Sequence, residues 1–435
     1  MNADGQNRSI FPLPEASLAI ARPEAGRKLA EMNAEALAVA QGPLHKIGEY
    51  EWCDPDYRQI LVWAGALELE PEEVIRRLLD EWSLALDAGG IERRGCKYGR
   101  ATRFGNGRLL HIHWHLDSLP LRGFSWVDGL EIEYLRIVSG QSEPSSIRSL
   151  GLLLPKLCEL DCRRLGLCEL DLSSVPSLTW LTCNSNRLSE LDLTGVPKLL
   201  SLGCGDNQLE ELDLAHVPDL EQLGCFNNGL ARIDIANAAK LTGLACHGNH
   251  FTELDLSPVP KLTYLSCSDN RLTELNLSPV PKLENLYCSG NRLTELDLSA
   301  VSKLTYLSCG NNRMRDLDLS RVPLIEELEC GENQLVELDL SQLPLLSSVL
   351  CDGNQLTKLY LSKTAKLGHL QCQRNHLVAI DLSDTPILQT VDCEYNPIDV
   401  LDIRSLPRLG LLRYSADSTR LIRHPEQDVQ INIPR

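Results

Sequence analysis

Apolar residues recur along most of this chain at a fixed spacing. Around Cys267 the apolar positions are Leu262, Leu265, Cys267, Leu272, Leu275 and Leu277, with Val259 just before them. Leu265 and Cys267 alternate with Tyr264, Ser266 and Ser268, and an alternation of period two predicts a short strand with one buried face. A second alternation, Leu275-Asn276-Leu277, predicts another strand on the opposite side of the same unit. Asn270 lies between the two as a bend, where a side-chain amide can satisfy backbone groups. Pro279 and Pro281 follow in a turn that leaves no N–H unpaired at their positions. The pattern returns every 21 residues from Cys162 to Cys393, and an asparagine stands three residues after every cysteine of the series but the first. A fixed period of this size predicts a solenoid of stacked coils, with successive asparagines forming a ladder.

Written as LxxLxCxxNxL and continued by LxxLDLSxxPxL, the pattern resembles the leucine-rich repeat in its short 21-residue bacterial form, over about residues 130 to 415. The resemblance implies a parallel β solenoid, a leucine-rich repeat arc with strands on both sides of each coil. It also implies a role in protein–protein interaction, with the partner held on the concave sheet.

Outside the repeat the pattern changes. Residues 1–45 hold one helical pattern and read as a poorly ordered or helical segment. Residues 46–129 read as a small α+β domain of no recognised family, with helices over 57–66 and 71–86 and a hairpin turning at Asn106-Gly107. The solenoid then occupies 130–415, opening on an irregular first coil. Residues 416–435 read as a polar closing segment.

Composition narrows the function. A formal net charge of −18 excludes nucleic acid and an anionic membrane as partners, since both need a basic footprint. Apolar runs fall short of a membrane span. Of the 16 cysteines, twelve occupy a leucine-equivalent core position, so they read as free, structural thiols and point to a reducing, cytoplasmic setting. A bacterial effector exported without a cleaved signal is the alternative.

Three constellations could carry chemistry. On a strand, His111, His113 and His115 share one face and could hold zinc or iron, with Cys53 or Cys96 as further ligands. A full ligand set is not identifiable, so the expectation is no metal and no cofactor. The cysteine ladder offers single thiols in a leucine environment, not four ligands around a point. The acidic ladder that includes Asp171, Asp255, Asp297 and Asp318 reads as a solvated face with Arg187, Arg271, Arg292 and Arg313 as partial partners.

Function is expected on the outward residues of the cysteine strand. Trp180, Phe226, His247, Tyr264, Tyr287, Tyr306, Glu327, Glu329 and Asp352 stand there among small polar residues. The three tyrosines come from successive coils and form the expected anchor, with an acidic flank suited to a basic partner. The reading is a non-enzymatic protein-binding solenoid with no small-molecule substrate. The rival is a metal-dependent enzyme in residues 46–129, with the repeats selecting its target.

Overall fold

A computed structural model of the chain describes residues 45–47, 50–52, 54–67, 69–76, 103–105, 108–115, 130–138 and 148–432. Residues 1–44, and the helix expected over 71–86 beyond residue 76, lie outside the described residues. The chain divides into two compact units, residues 1–209 and 210–435.

In the first unit the strands His45–Ile47 and Tyr50–Trp52 pair antiparallel. The helix Asp54–Leu67 follows, opened by Asp54 and Pro55, residues suited to a cap and a first turn. Ile60, Trp63 and Ala64 fall at i, i+3 and i+4 and are buried together. Arg103–Gly105 and Arg108–His115 form an antiparallel hairpin in which Gly105 faces Arg108. The second hairpin strand then lies parallel to Tyr134–Val138, with His111 opposite Tyr134 and His113 opposite Arg136. The sheet continues through Glu159–Asp161, Trp180–Thr182 and Ser201–Gly203. The histidine strand therefore belongs to the same sheet as the first cysteine coils.

The second unit carries one parallel sheet, from Gln222–Gly224 to Gln430–Asn432. Its strands match residue for residue with a step of one repeat, as Leu244, Leu265, Leu286 and Leu307 do. On the opposite side, extended segments pair as regular strands at Glu337–Asp339 with Lys358–Tyr360 and at Val400–Asp402 with Arg420–Ile422. Ser149–Gly151 and Glu169–Asp171 do the same in the first unit. Residues 416–435, expected as a closing segment, supply Arg420–Ile422 and Gln430–Asn432 and so extend both sides.

Within one coil every element has a local cause. Val259, Leu262, Leu265, Cys267, Leu272, Leu275 and Leu277 are all buried. Two residues past the cysteine the backbone turns left-handed, with φ of 53° at Asp269, 67° at Gly290 and 51° at Asn311. Asn, Asp and Gly tolerate that conformation best. At Gly290 there is a second reason for glycine: a Cβ there would meet Oδ1 of Asp269 in the preceding coil.

The asparagine one residue later joins coil to coil. Asn291 Nδ2 donates to the Cys288 carbonyl of its own coil at 3.1 Å and to the Cys267 carbonyl of the preceding one at 3.0 Å. Its Oδ1 accepts from the Leu272 N–H at 3.0 Å, so one buried side chain closes three backbone groups. The same bonds recur at Asn270, Asn312, Asn333, Asn354, Asn375 and Asn396. The turn back to the strand uses Val280 N–H to Leu277 and Leu283 N–H to Val280, both at 3.1 Å. Pro279 and Pro281 sit where no donor is used.

The acidic ladder has a structural task. Oδ1 of Asp255, Asp297 and Asp318 accepts the N–H of the residue two positions on, Ser257, Ser299 and Ser320, each at 2.9 Å. Asn276 does the same for Ser278 at 3.0 Å. The expected arginine partners are thus replaced by the chain's own amides, because the carboxylate reaches the turn it initiates before it reaches another coil. These hydrogen bonds hold Asp255, Asp297 and Asp318 below the usual carboxylate range. Arg404 takes Asp402 furthest, down to about 2.

Two outcomes follow for stability. Cys288→Ser should destabilise by about 1–3 kcal/mol, through a hydroxyl placed in an apolar core. Asn291→Ala should cost more, about 3–5 kcal/mol, because it strands the Leu272 N–H and two carbonyls. Urea unfolding of the two variants gives the ranking, and an asparagine variant no worse than the cysteine one would contradict the ladder's role.

The second concerns pH. Carboxyls depressed in the folded state contribute stability that is complete above their ordinary value of 3.8 and is lost as pH falls through the lower folded values. Melting temperature should therefore drop steeply below about pH 4. Replacing Asp255, Asp297 and Asp318 together by Asn, the residue already present at 276, should keep the turns and flatten that drop. An unchanged pH profile would assign the acid sensitivity elsewhere.

Candidate functional site: the outward face of the parallel sheet

Each strand of the sheet buries its central leucine or valine and the following cysteine, leaving two strand residues and the one after the cysteine outward. The register lines these up in rows across coils. Tyr264, Asn285, Tyr306, Glu327, Ser348 and His369 make one row. Ser266, Tyr287, Ser308, Glu329 and Leu350 make the next. Small residues in both rows leave space, so the larger ones lean on one another.

The three tyrosines come together as expected. Tyr287 stacks on Tyr306 with centroids 4.6 Å apart, and Tyr264 lies tilted at 5.5 Å from Tyr287. All three are half-buried. Burial pushes the Tyr264 phenol up to about 12 and raises Tyr287 and Tyr306 as well. All three hydroxyls therefore stay protonated at neutral pH and act as donors. The Tyr306 hydroxyl hydrogen-bonds the Glu329 carboxylate, which adds to its upward shift. Ser308 Oγ donates to Glu329 Oε2 at 2.8 Å and is itself 2.8 Å from Ser289 Oγ.

The other candidates take different places. Phe226 is only 6% exposed and stacks face to face with His247 at 4.8 Å, so it supports the edge of the patch and offers little contact area. His247 Nδ1 shares a hydrogen bond with Ser266 Oγ at 3.1 Å. Trp180 belongs to the first unit, 37% exposed, its indole N–H donating to Thr182 Oγ1 at 3.1 Å. Glu327 is exposed and Asp352 half-buried. Burial, then the charges of Glu332 and Asp392, raises Asp352. Sequence reasoning missed the Ser289–Ser308–Glu329 chain, because serines in a strand carry no mark of a bond made across coils.

Other chemistry finds less support in the geometry. The cysteines of the series are buried free thiols, and burial takes Cys183, Cys225 and Cys267 up to about 12, far from a reactive thiolate. Among the described residues there is no group of three or more His, Cys, Asp and Glu arranged to hold a metal. The strand register sets His111, His113 and His115 opposite Tyr134, Arg136 and Val138, and the histidine side chains lie outside what the structure describes. On the opposite side, an open trough of about 910 Å³ is lined by Glu253, Asp255, Glu274, Glu295, Asp297 and Asp318 among others. The aspartates there already serve their own turns.

The comparisons agree with this architecture. A model of leucine-rich repeats in two copies matches residues 260–300 and 281–321. The structure of the functional domain of InlJ from Listeria monocytogenes, which includes a cysteine ladder, is 35% identical, with a TM-score of 0.59. That match covers 62% of this chain and 60% of the Listeria chain, so under two thirds of the latter is spanned. A leucine-rich repeat protein of Leptospira interrogans shares the fold at 20% identity and TM-score 0.56, covering 69% of this chain and 78% of that one. YopM, a leucine-rich effector protein from Yersinia pestis, does so at 24% identity and TM-score 0.53, covering 64% and 88%. No curated protein matches the chain. Among the described residues no helix is long and apolar enough to cross a membrane. With its cysteine-marked period, its asparagine-bridged coils and the matched repeats, the chain carries leucine-rich repeats.

Proposed function

We propose that this chain is a non-enzymatic interaction protein that binds another protein on the outward face of its main parallel sheet. The observation that carries the reading is the contrast between the two sides of the coil. On the acidic side the side chains close their own turns. On the sheet face, Tyr264, Tyr287 and Tyr306 stack into a patch that closes nothing in the backbone. Aromatic rings held by neighbours supply contact area with few rotamers left to freeze, which is the chemistry of an interface anchor. Glu327, Glu329 and Asp352 flank the patch and suit a partner with a basic surface. Free buried thiols in every coil from Cys162 to Cys393 fit a reducing compartment.

The Tyr287→Ala/Tyr306→Ala double variant tests this. Affinity for a partner captured by the full chain should fall by about 2–4 kcal/mol, while the melting temperature barely moves. Binding should also weaken as salt rises. Normal binding by the double variant, with loss on changing Glu253 and Glu295, would transfer the site to the acidic side.

A further inference from the structure

We propose that the Tyr287–Tyr306 pair and Glu327 receive an arginine side chain of the partner. This deepens the protein-binding reading and rests on it. Tyr287 stacks on one face of Tyr306, 4.6 Å away and inclined by 29°, which leaves the other face of Tyr306 toward the next coil. Glu327 stands in register with Tyr306 on the next strand, exposed and without an ion-pair partner among the described residues. A planar group lying on that outer face therefore ends at the Glu327 carboxylate.

Glu329 has a different part. It is occupied by the hydroxyls of Ser308 and Tyr306, so it fixes the ring and leaves Glu327 to meet the ligand. Gly310 and Gly331 hold the position that Ser289 and Asp352 fill in the flanking coils. Asp352 reaches back over Gly331, where a Cβ would lie 2.7 Å from Asp352 Oδ1, and sets a second carboxylate near the patch.

Acidity alone would draw any cation, and the ring pair is the independent feature that selects among them. A guanidinium is planar and weakly hydrated, lies flat on a tyrosine and forks onto a carboxylate. An ammonium is compact and strongly hydrated, and gains less from the same surface. A neutral isostere keeps the plane and loses the charge.

Fluorescein-labelled Gly-Ser octapeptides with a central Arg-Arg, Lys-Lys or citrulline pair provide the test, titrated with the full chain at low salt and followed by anisotropy. The arginine peptide should saturate, the lysine peptide should bind at least about fivefold more weakly, and the citrulline peptide should not saturate. Glu327→Gln and the Tyr287→Ala/Tyr306→Ala variant should each weaken the arginine peptide about tenfold. Glu253→Gln/Glu295→Gln on the opposite side should leave it unchanged, and melting curves confirm that each variant is folded. Equal binding of arginine and lysine peptides, binding insensitive to loss of the tyrosines, or no saturation of the arginine peptide would overturn the proposal. If the tyrosine variant loses the captured protein partner while arginine peptides show no preference, the protein-binding face stands and the arginine falls. If partner capture also survives, the face itself is wrong.

Discussion

The buried asparagine amide is the interaction on which the rest depends. A solenoid coil has few backbone bonds of its own, so almost every N–H and C=O at its bends must find a partner on the neighbour or be buried unmet. Asn291 closes the Leu272 N–H together with the Cys267 and Cys288 carbonyls. The left-handed residue before it sets the chain direction so that the amide points inward. With the bend satisfied, the leucines and the cysteine can pack without exposing a polar cost. The identical step from coil to coil then lines up the strands.

That arrangement divides the coil into two sides with different freedom. On the side of Asp255, Asp297 and Asp318, side-chain chemistry is spent on turn geometry, and the residue type is held to those that cap. On the sheet face, nothing in the coil needs a particular outward side chain. Tyr264, Asn285, Tyr306, Glu327 and Ser348 occupy one row in succession, and the backbone beneath them is unchanged. Variation without structural cost is what a recognition surface requires.

Much of this was legible in the sequence, for a reason the residues make plain. Leu265 and Cys267 are buried by their own coil and its neighbours in a repeating environment, so local pattern and tertiary environment coincide. The tyrosine patch was legible too, since a fixed register turns sequence spacing into distance. What was not legible depended on reach. Whether Asp297 turns to Ser299 or to an arginine on another coil is decided by side-chain length and backbone angle. Phe226 shares its repeat position with mostly half-buried residues, yet His247 covers it. The histidine strand looked like part of a separate domain, and only its pairing with Tyr134–Val138 shows that it continues the sheet.

The asparagine bonds also have a direction. Between coils, Asn270 donates to Cys246 and accepts from Phe251, and Asn291 does the same to Cys267 and Leu272, in each case toward the preceding coil. No coil completes its own bend; its successor does. A ribosome delivers the chain from the amino end, so each coil emerges with an open N–H that stays open for the time taken to add one more repeat. The growing chain therefore carries a single unfinished edge that moves outward as synthesis proceeds, with the settled coils behind it. In the last coils Asp417 holds the asparagine position, and the Ile398 carbonyl, met in earlier coils by the N–H after the asparagine, takes the Thr419 hydroxyl at 2.8 Å, so the hand-over by asparagine ends with Asn396.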